Sequence, residues 1–256
     1  MSAAKGCDGC RNADANNFAI PFTMAFQPIV DVEAGTIWGY ESLVRGVAGE
    51  SAFQVLSQLT PENRYAFDQA CRVKAIELAG EKLADPTAKL SINFLPNAVY
   101  EPKACIRATL GAAAKAQFDT SRLMFEFTEN ERMEDVSHVQ HIVAEYKRMG
   151  FTTALDDFGA GYAGLALLAQ FQTDLIKIDM ELIRGVATSP AKQAIIAGIV
   201  GIARQLGITV LGEGVETEAE LLMLRGAGIR LIQGYYFAKP MLETFQTLGE
   251  LDRKAA

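Results

Sequence analysis

Asp156 and Asp157 stand side by side in "ALDDFGAGY", at the end of an apolar, β-branched run and just before Gly159 and Gly161. Adjacent negative charges repel, and each loses hydration when buried, so such a pair calls for a cation between its members. Other strand-like stretches also carry a polar group near their C-terminal ends: Glu41, Asn93, Glu126, Glu213 and Gln233. If Glu41, Asn93, Glu126, Asp156, Asp157 and Glu213 converge, they form five carboxylates and an amide, with no histidine or cysteine. That all-oxygen set suits Mg²⁺ or Mn²⁺ rather than zinc. Asp156 and Asp157 can then face two ions about 3.5–4 Å apart, with one carboxylate bridging them. Ca²⁺, whose coordination is looser and longer, is expected to inhibit. Lys177, on the same face of "DLIKIDMELI" as Asp179, is a single cation and cannot neutralise five acids. Each residue alone has an ordinary use as a turn start, a cap or a snorkelling surface group. The pattern across six strands is what points to a site.

These side chains meet only if many strand ends meet. The chain alternates short β-rich runs with amphipathic stretches. Strands are expected at "TMAFQPIVD", "TIWGYESLVRG", "KLSINFLP", "RLMFEFTE", "FTTALDDFG", "DLIKIDMELI", "ITVLGEGVE" and "RLIQGYYFAKP". Helices are expected at "ENRYAFDQACRVKAIELAGEKL", "EPKACIRATLGAAAKAQ", "EDVSHVQHIVAEYKRMG", "GLALLAQF", "SPAKQAIIAGIVGIARQLG" and "TEAELLMLRGAG", and from Leu242 onward. Ser189 caps one helix that ends on Gly207, and Thr217 with Glu220 makes a capping box for another. About eight strands, mostly separated by helices, over this length fit a (β/α)₈ barrel, whose strand ends share one mouth; a doubly wound open sheet is the alternative. The tight "EAG" turn between the first two strands allows them to pair antiparallel. Residues 1–20 read as a flexible N-terminal tail containing a C-x-x-C, and 21–256 as one domain.

Half of the 256 residues are hydrophobic and the net charge is −7. That acidity argues against long nucleic acids as partners, but admits a small phosphate ligand where metal ions reverse the local sign. No apolar run is long enough for membrane insertion, and the N-terminus has no signal-peptide pattern, so a cytoplasmic location is the default expectation. Cys71 and Cys105 lie in helical stretches, as small buried hydrophobes do. Cys7 and Cys10 could pair with His138 and His141 in a zinc site, although tail residues and a solvated helix face explain them more simply.

In order, "FQPIVD", "GYESLVRG", "INFLP", "FEFTE", "DDFGAGY", "IKID", "GEGVET" and "QGYYFAKP" resemble the motifs of the EAL-domain family of cyclic di-GMP phosphodiesterases, across roughly residues 22–245. The resemblance implies an EAL-type barrel with one antiparallel strand, a homodimer, and two-metal hydrolysis of cyclic di-GMP to linear pGpG. By motif position, Glu41, Asn93, Glu126 and Asp156 would hold one ion, and Asp156, Asp157 and Glu213 the second. Lys177 would orient or help deprotonate the attacking water, with Asp179 in support. Arg45 would contact a phosphate, and Gln27, Leu43 and Gln233 would line the nucleotide pocket. Glu129 would anchor the "DFGAGY" loop. Ser42 stands where the motif has alanine, and alternation points its side chain away from the mouth. Leu95, Ala163 and Gly164 stand where serines are usual. Two other function classes compete: a catalytically silent cyclic di-GMP receptor or docking module, and an unrelated barrel hydrolase. Members of the first usually lack a metal or lysine position, and all are present here.

Overall fold

The computed structural model describes residues 21–60, 63–96, 99, 101–128, 136–161 and 164–249. The expected flexible tail with Cys7 and Cys10, the loop anchor Glu129, and Ala163 lie outside the described residues.

The strands are β1 Phe22–Asp31, β2 Thr36–Gly46, β3 Lys89–Asn93, β4 Leu123–Thr128, β5 Thr152–Phe158, β6 Leu175–Ile178, β7 Thr209–Gly212, β8 Leu231–Ile232 and β9 Met241–Leu242. The sheet runs β2-β3-β4-β5-β6-β7-β8-β1-β9 and closes through the pairing of β1 with β2. β2 to β8 are mutually parallel, while β1 runs antiparallel to β2, β8 and β9. The fold is therefore an eight-stranded α/β barrel with one reversed strand and a short extra strand on β1.

The helices are α1 Ala52–Leu56, α2 Arg64–Lys82, α3 Pro102–Cys105, α4 Arg107–Lys115, α5 Val136–Arg148, α6 Gly164–Gln170, α7 Met180–Ile183, α8 Pro190–Leu206 and α9 Glu218–Gly226. The large core lies between them and the outer barrel wall, where Phe125 and Tyr146 each meet the rings of Phe94 and Phe151 as well as one another. The Ser189 cap on α8, the left-handed Gly207 that ends it and the Thr217–Glu220 capping box on α9 stand as expected. No helix among the described residues is long and apolar enough to cross a membrane.

A second, smaller core explains the position of the polar residues. Ile29, Met124, Ala154, Leu175, Leu211 and Leu231 pack together, with Trp38 against them. Because strand side chains alternate faces, the residue two places on shares the barrel interior. Met124 thus precedes Glu126, Ala154 precedes Asp156, Leu175 precedes Lys177, Leu211 precedes Glu213 and Leu231 precedes Gln233. On the reversed β1 the order inverts, and Gln27 precedes Ile29. An apolar floor therefore sits one layer below a polar mouth. β2 brings Gly39 rather than a large side chain to this layer, and a register shift on β1 between Ile29 and Val30 lets Trp38 pack there instead.

Several elements are shorter than expected. "DLIKIDMELI" is not one strand: β6 stops at Ile178, and Asp179 caps α7 by accepting from the backbone N of Glu181 at 2.7 Å. "RLIQGYYFAKP" yields only β8, because Gly234 starts a turn bonded to Phe237 N and Ala238 N. A Cβ on Gly234 would lie 2.1 Å from Val215 O, so this backbone approach requires glycine. Leu242 begins no helix; it belongs to β9, and the chain turns at Glu243, whose φ is 48°. The helix expected over 101–117 breaks between α3 and α4 at Ile106, and α1 has no counterpart in the sequence reading.

Candidate functional site

The barrel mouth gathers the acids around one ammonium. Lys177 Nζ lies 2.6 Å from Glu213 Oε1, 2.8 Å from Glu126 Oε2, 3.1 Å from Asp156 Oδ1 and 3.4 Å from Glu41 Oε2. The Lys177 side chain is 1% exposed. Alternation accounts for Asp156 but would send Asp157 to the opposite face. The backbone solves this: Asp157 adopts a left-handed φ of 55°, and the β5–β6 register shifts between Leu155 and Phe158. Aspartate tolerates that conformation better than most side chains do. Asp157 consequently joins Asp156 and Glu213 in one group of oxygens, while Glu41, Glu126 and Asp156 form another; within each group the oxygens lie within 4.8 Å of one another. Gly159 then turns the chain away with φ 97°, and a Cβ there would strike Leu182 Cδ1 at 2.4 Å.

Amides complete the ring. Asn93 Nδ2 donates to Glu41 Oε1 at 3.1 Å, and Gln233 Nε2 donates to Glu41 Oε2 at 2.8 Å. Gln233 Nε2 also donates to Gln27 Oε1 at 3.1 Å, and Gln27 Nε2 to Ala238 O at 3.0 Å. A cavity of about 440 Å³ lies mainly between the outer barrel wall (Met24, Val44, Phe94) and α1 and α2 (Leu56, Phe67, Asp68), and touches Leu43 and Asn93 at its edge. Ser42 points out of the barrel as expected and donates to Ser91 O at 2.8 Å.

Other expected site residues sit differently. Arg45 is half-buried, with Nη1 turned onto Val44 O at 2.7 Å. Asp179 does not share a strand face with Lys177, because it is spent as the α7 cap. Leu95 lies past the end of β3, where alternation no longer assigns it a face; its backbone N donates to Asp68 Oδ1 at 3.2 Å. Gly164 opens α6 and is buried. His138 Nε2 bonds Val99 O and His141 is exposed; the two groups of potential metal-binding side chains among the described residues contain neither histidine nor cysteine. Sequence reasoning missed the buried Asp68–Arg72 pair, joined at 2.6 Å, because i,i+4 charges on a helix ordinarily read as a solvated face.

Burial dominates the electrostatics. It pushes Glu126 up to about 8 against the pull of Lys177, with Glu41 and Asp156 adding to the rise. Burial likewise raises Asp156 against Lys177, and raises Glu213 well above the usual carboxylate range, with Asp156 reinforcing it. Burial alone would lower the Lys177 ammonium, but Asp156, Glu126, Glu213 and Glu41 outweigh it and hold it well above its ordinary value.

The donor set fits divalent cations. Both groups are carboxylate oxygens, Asp156 belongs to both, and the buried Glu126 Oε1 has no hydrogen-bond partner. One ammonium against this many acids leaves net negative charge, which hard cations neutralise best.

The titration shifts give a signed expectation. Glu126, Asp156 and Glu213 bind protons more tightly folded than unfolded, where carboxyls titrate near about 4–4.5. Over the interval between, the unfolded chain holds fewer protons, so stability falls as pH rises. Lys177, raised above its ordinary value, keeps its contribution throughout this interval and loses it only at still higher pH. In chelator, the melting midpoint contributed by this cluster should fall from about pH 5 to 8, and the Mg²⁺-induced increment should grow over the same interval. Scanning fluorimetry with and without Mg²⁺ checks this; an increment that shrinks with pH would count against a buried acid cluster.

The EAL domain family matches the chain over residues 17–240. A cyclic di-GMP phosphodiesterase of Pseudomonas aeruginosa, PA2567, is 30% identical over 227 residues, covering 86% of this chain but 38% of that protein. The chain therefore spans well under half of that relative. A standalone versatile EAL protein from Vibrio cholerae O395, solved in its c-di-GMP bound form, is 52% identical with a TM-score of 0.87, covering 90% of this chain and 97% of that one. Klebsiella pneumoniae BlrP1, solved as a manganese/cyclic di-GMP complex at pH 9.0, is 36% identical with a TM-score of 0.82, covering 88% of this chain and 57% of that one.

Proposed function

Since this chain belongs to the EAL domain family, we propose that it hydrolyses one phosphodiester bond of cyclic di-GMP to give linear pGpG, using two Mg²⁺ or Mn²⁺ ions. The observation that carries the reading is the pair of oxygen groups sharing Asp156 around the Lys177 ammonium. Glu41, Asn93, Glu126 and Asp156 would hold one ion, and Asp156, Asp157 and Glu213 the other. Asn93 gives its Nδ2 to Glu41, which leaves its Oδ1 free to be a ligand. When bound, the ions would supply a hydroxide nucleophile near neutral pH and offset charge growing on the phosphoryl oxygens.

The protein's own groups do the rest. Lys177, beside Glu41, Glu126, Asp156 and Glu213, would orient the attacking water or help deprotonate it. The water oxygen bonds to phosphorus as the P–O3′ bond breaks, and the 3′ oxygen leaves and gains a proton, so the product carries a 5′-phosphate. Arg45, which here donates to Val44 O, would contact a non-bridging oxygen of the phosphate. Leu43, two places beyond Glu41 on β2, would line the nucleotide pocket. A homodimer belongs to the same reading: Leu165, on α6 just past the "DFGAGY" segment, is 59% exposed and would be covered by a second copy.

Incubation with cyclic di-GMP, followed by chromatography of the nucleotides, tests the proposal. Mg²⁺ and Mn²⁺ should each support conversion to linear pGpG, excess chelator should stop it, and Ca²⁺ added to the Mg²⁺ enzyme should inhibit. Equal turnover in chelator, or a different product, would contradict it.

A further inference from the structure

The two buried glutamines at the mouth have a polarity that is set from outside. Ala238 O can only accept, so Gln27 must turn its Nε2 toward it, which leaves Gln27 Oε1 facing Gln233. Gln233 must answer with Nε2, and the same nitrogen reaches Glu41 Oε2. Turning Gln233 over would set its carbonyl oxygen against a carboxylate and another carbonyl oxygen, with no proton between them. The donations thus diverge from Gln233 Nε2, one through Gln27 to Ala238 O and the other to Glu41, and each branch ends on a group that can only accept. Gln27 is 8% exposed and Gln233 is 3% exposed. The one oxygen left over, Gln233 Oε1, is buried without a partner, so it offers an incoming nucleotide no open face.

We propose that Gln27 and Gln233 are positioning residues that fix the Glu41 carboxylate for a divalent cation, rather than contacts to the nucleotide. Asn93 holds Glu41 Oε1 and Gln233 holds Oε2, so both carboxylate oxygens are tethered before any ligand arrives. Outer partners of this kind set the rotamer of a ligand and typically carry 10–100-fold in metal affinity. The relay also ties the site to the turn at 234–238, which the Gly234 approach to Val215 holds in place.

The inference rests on the mouth being a divalent-ion site. Its test is calorimetric titration of chelator-stripped protein with Mn²⁺ alone, for the parent, Gln27→Leu, Gln233→Leu and the double variant, with KM for cyclic di-GMP measured at saturating Mn²⁺. Gln233→Leu should weaken the tighter Mn²⁺ site by about 10–100-fold and leave KM within about twofold. Gln27→Leu should shift it the same way but less. The double variant should be no worse than Gln233→Leu, because the two act in series. Parental Mn²⁺ affinity in the variants together with a raised KM would overturn the inference and make both residues nucleotide contacts. If Gln233→Leu does not fold, Gln27→Leu alone decides, with the same two outcomes. A parent that binds no Mn²⁺ would instead sink the metal reading of the mouth.

Discussion

Asp156→Asn is expected to lower turnover of cyclic di-GMP by on the order of 10³, the upper end for loss of one electrostatic group at a reacting centre. Asp156 is the residue common to both oxygen groups at the mouth. Asparagine keeps the shape but removes the charge and one of two acceptor oxygens, so both proposed ions would lose a ligand together. The backbone argues that the effect will be local: Asp156 sits on β5 above the packed floor, and its Oδ1 accepts from Asp157 N at 3.0 Å, a bond the amide oxygen can keep. The variant should therefore melt near the parent in chelator while losing most of the Mg²⁺-induced increment. Initial rates and melting curves, with and without Mg²⁺, check both halves. An asparagine variant with parental Mg²⁺ stabilisation would place the ions elsewhere.

Lys177→Met is the second large effect, and it divides differently. The ammonium stands among four carboxylates and is itself buried. Removing one partner of a buried ionic group typically costs on the order of 3–5 kcal/mol, because the remaining charges are uncompensated. In chelator the variant should melt well below the parent, and Mg²⁺ should recover part of the difference by neutralising the same acids. Turnover at saturating Mg²⁺ should still fall about 10²–10³-fold if, as proposed, Lys177 acts on the attacking water. Cyclic di-GMP binding, followed by calorimetry in Ca²⁺, should survive. A variant that turns over at the parental rate would remove Lys177 from the reaction.

The legible parts of this fold are those set by local periodicity. Alternation alone placed Glu126, Asp156, Lys177 and Glu213 on the barrel interior, because each follows an apolar floor residue by two positions. The "EAG" turn correctly announced the antiparallel pairing of β1 with β2. Legibility failed where a local exception overrode the period. Asp157 lies at the mouth as expected, but through a left-handed backbone conformation that alternation does not supply. Asp179 reads as the next inward position after Lys177, yet a short helix claims its carboxylate as a cap. Long-range contacts were hidden altogether. Gln233 lies 192 residues from Glu41 and 206 from Gln27, so no spacing could show that the three form one chain. Asp68 and Arg72 drew no notice in the sequence, because only the packing of α2 on the barrel buries them.

The central claim is that the mouth holds two divalent ions sharing Asp156, and counting them is its most direct test. Chelator-stripped protein titrated with Mn²⁺, by electron paramagnetic resonance of the free ion, should bind two equivalents per chain, with hydrolysis of added cyclic di-GMP rising as they fill. Asp156→Asn should retain neither site at parental affinity. Fewer than two equivalents in the parent, or two undiminished equivalents in Asp156→Asn, would contradict the account.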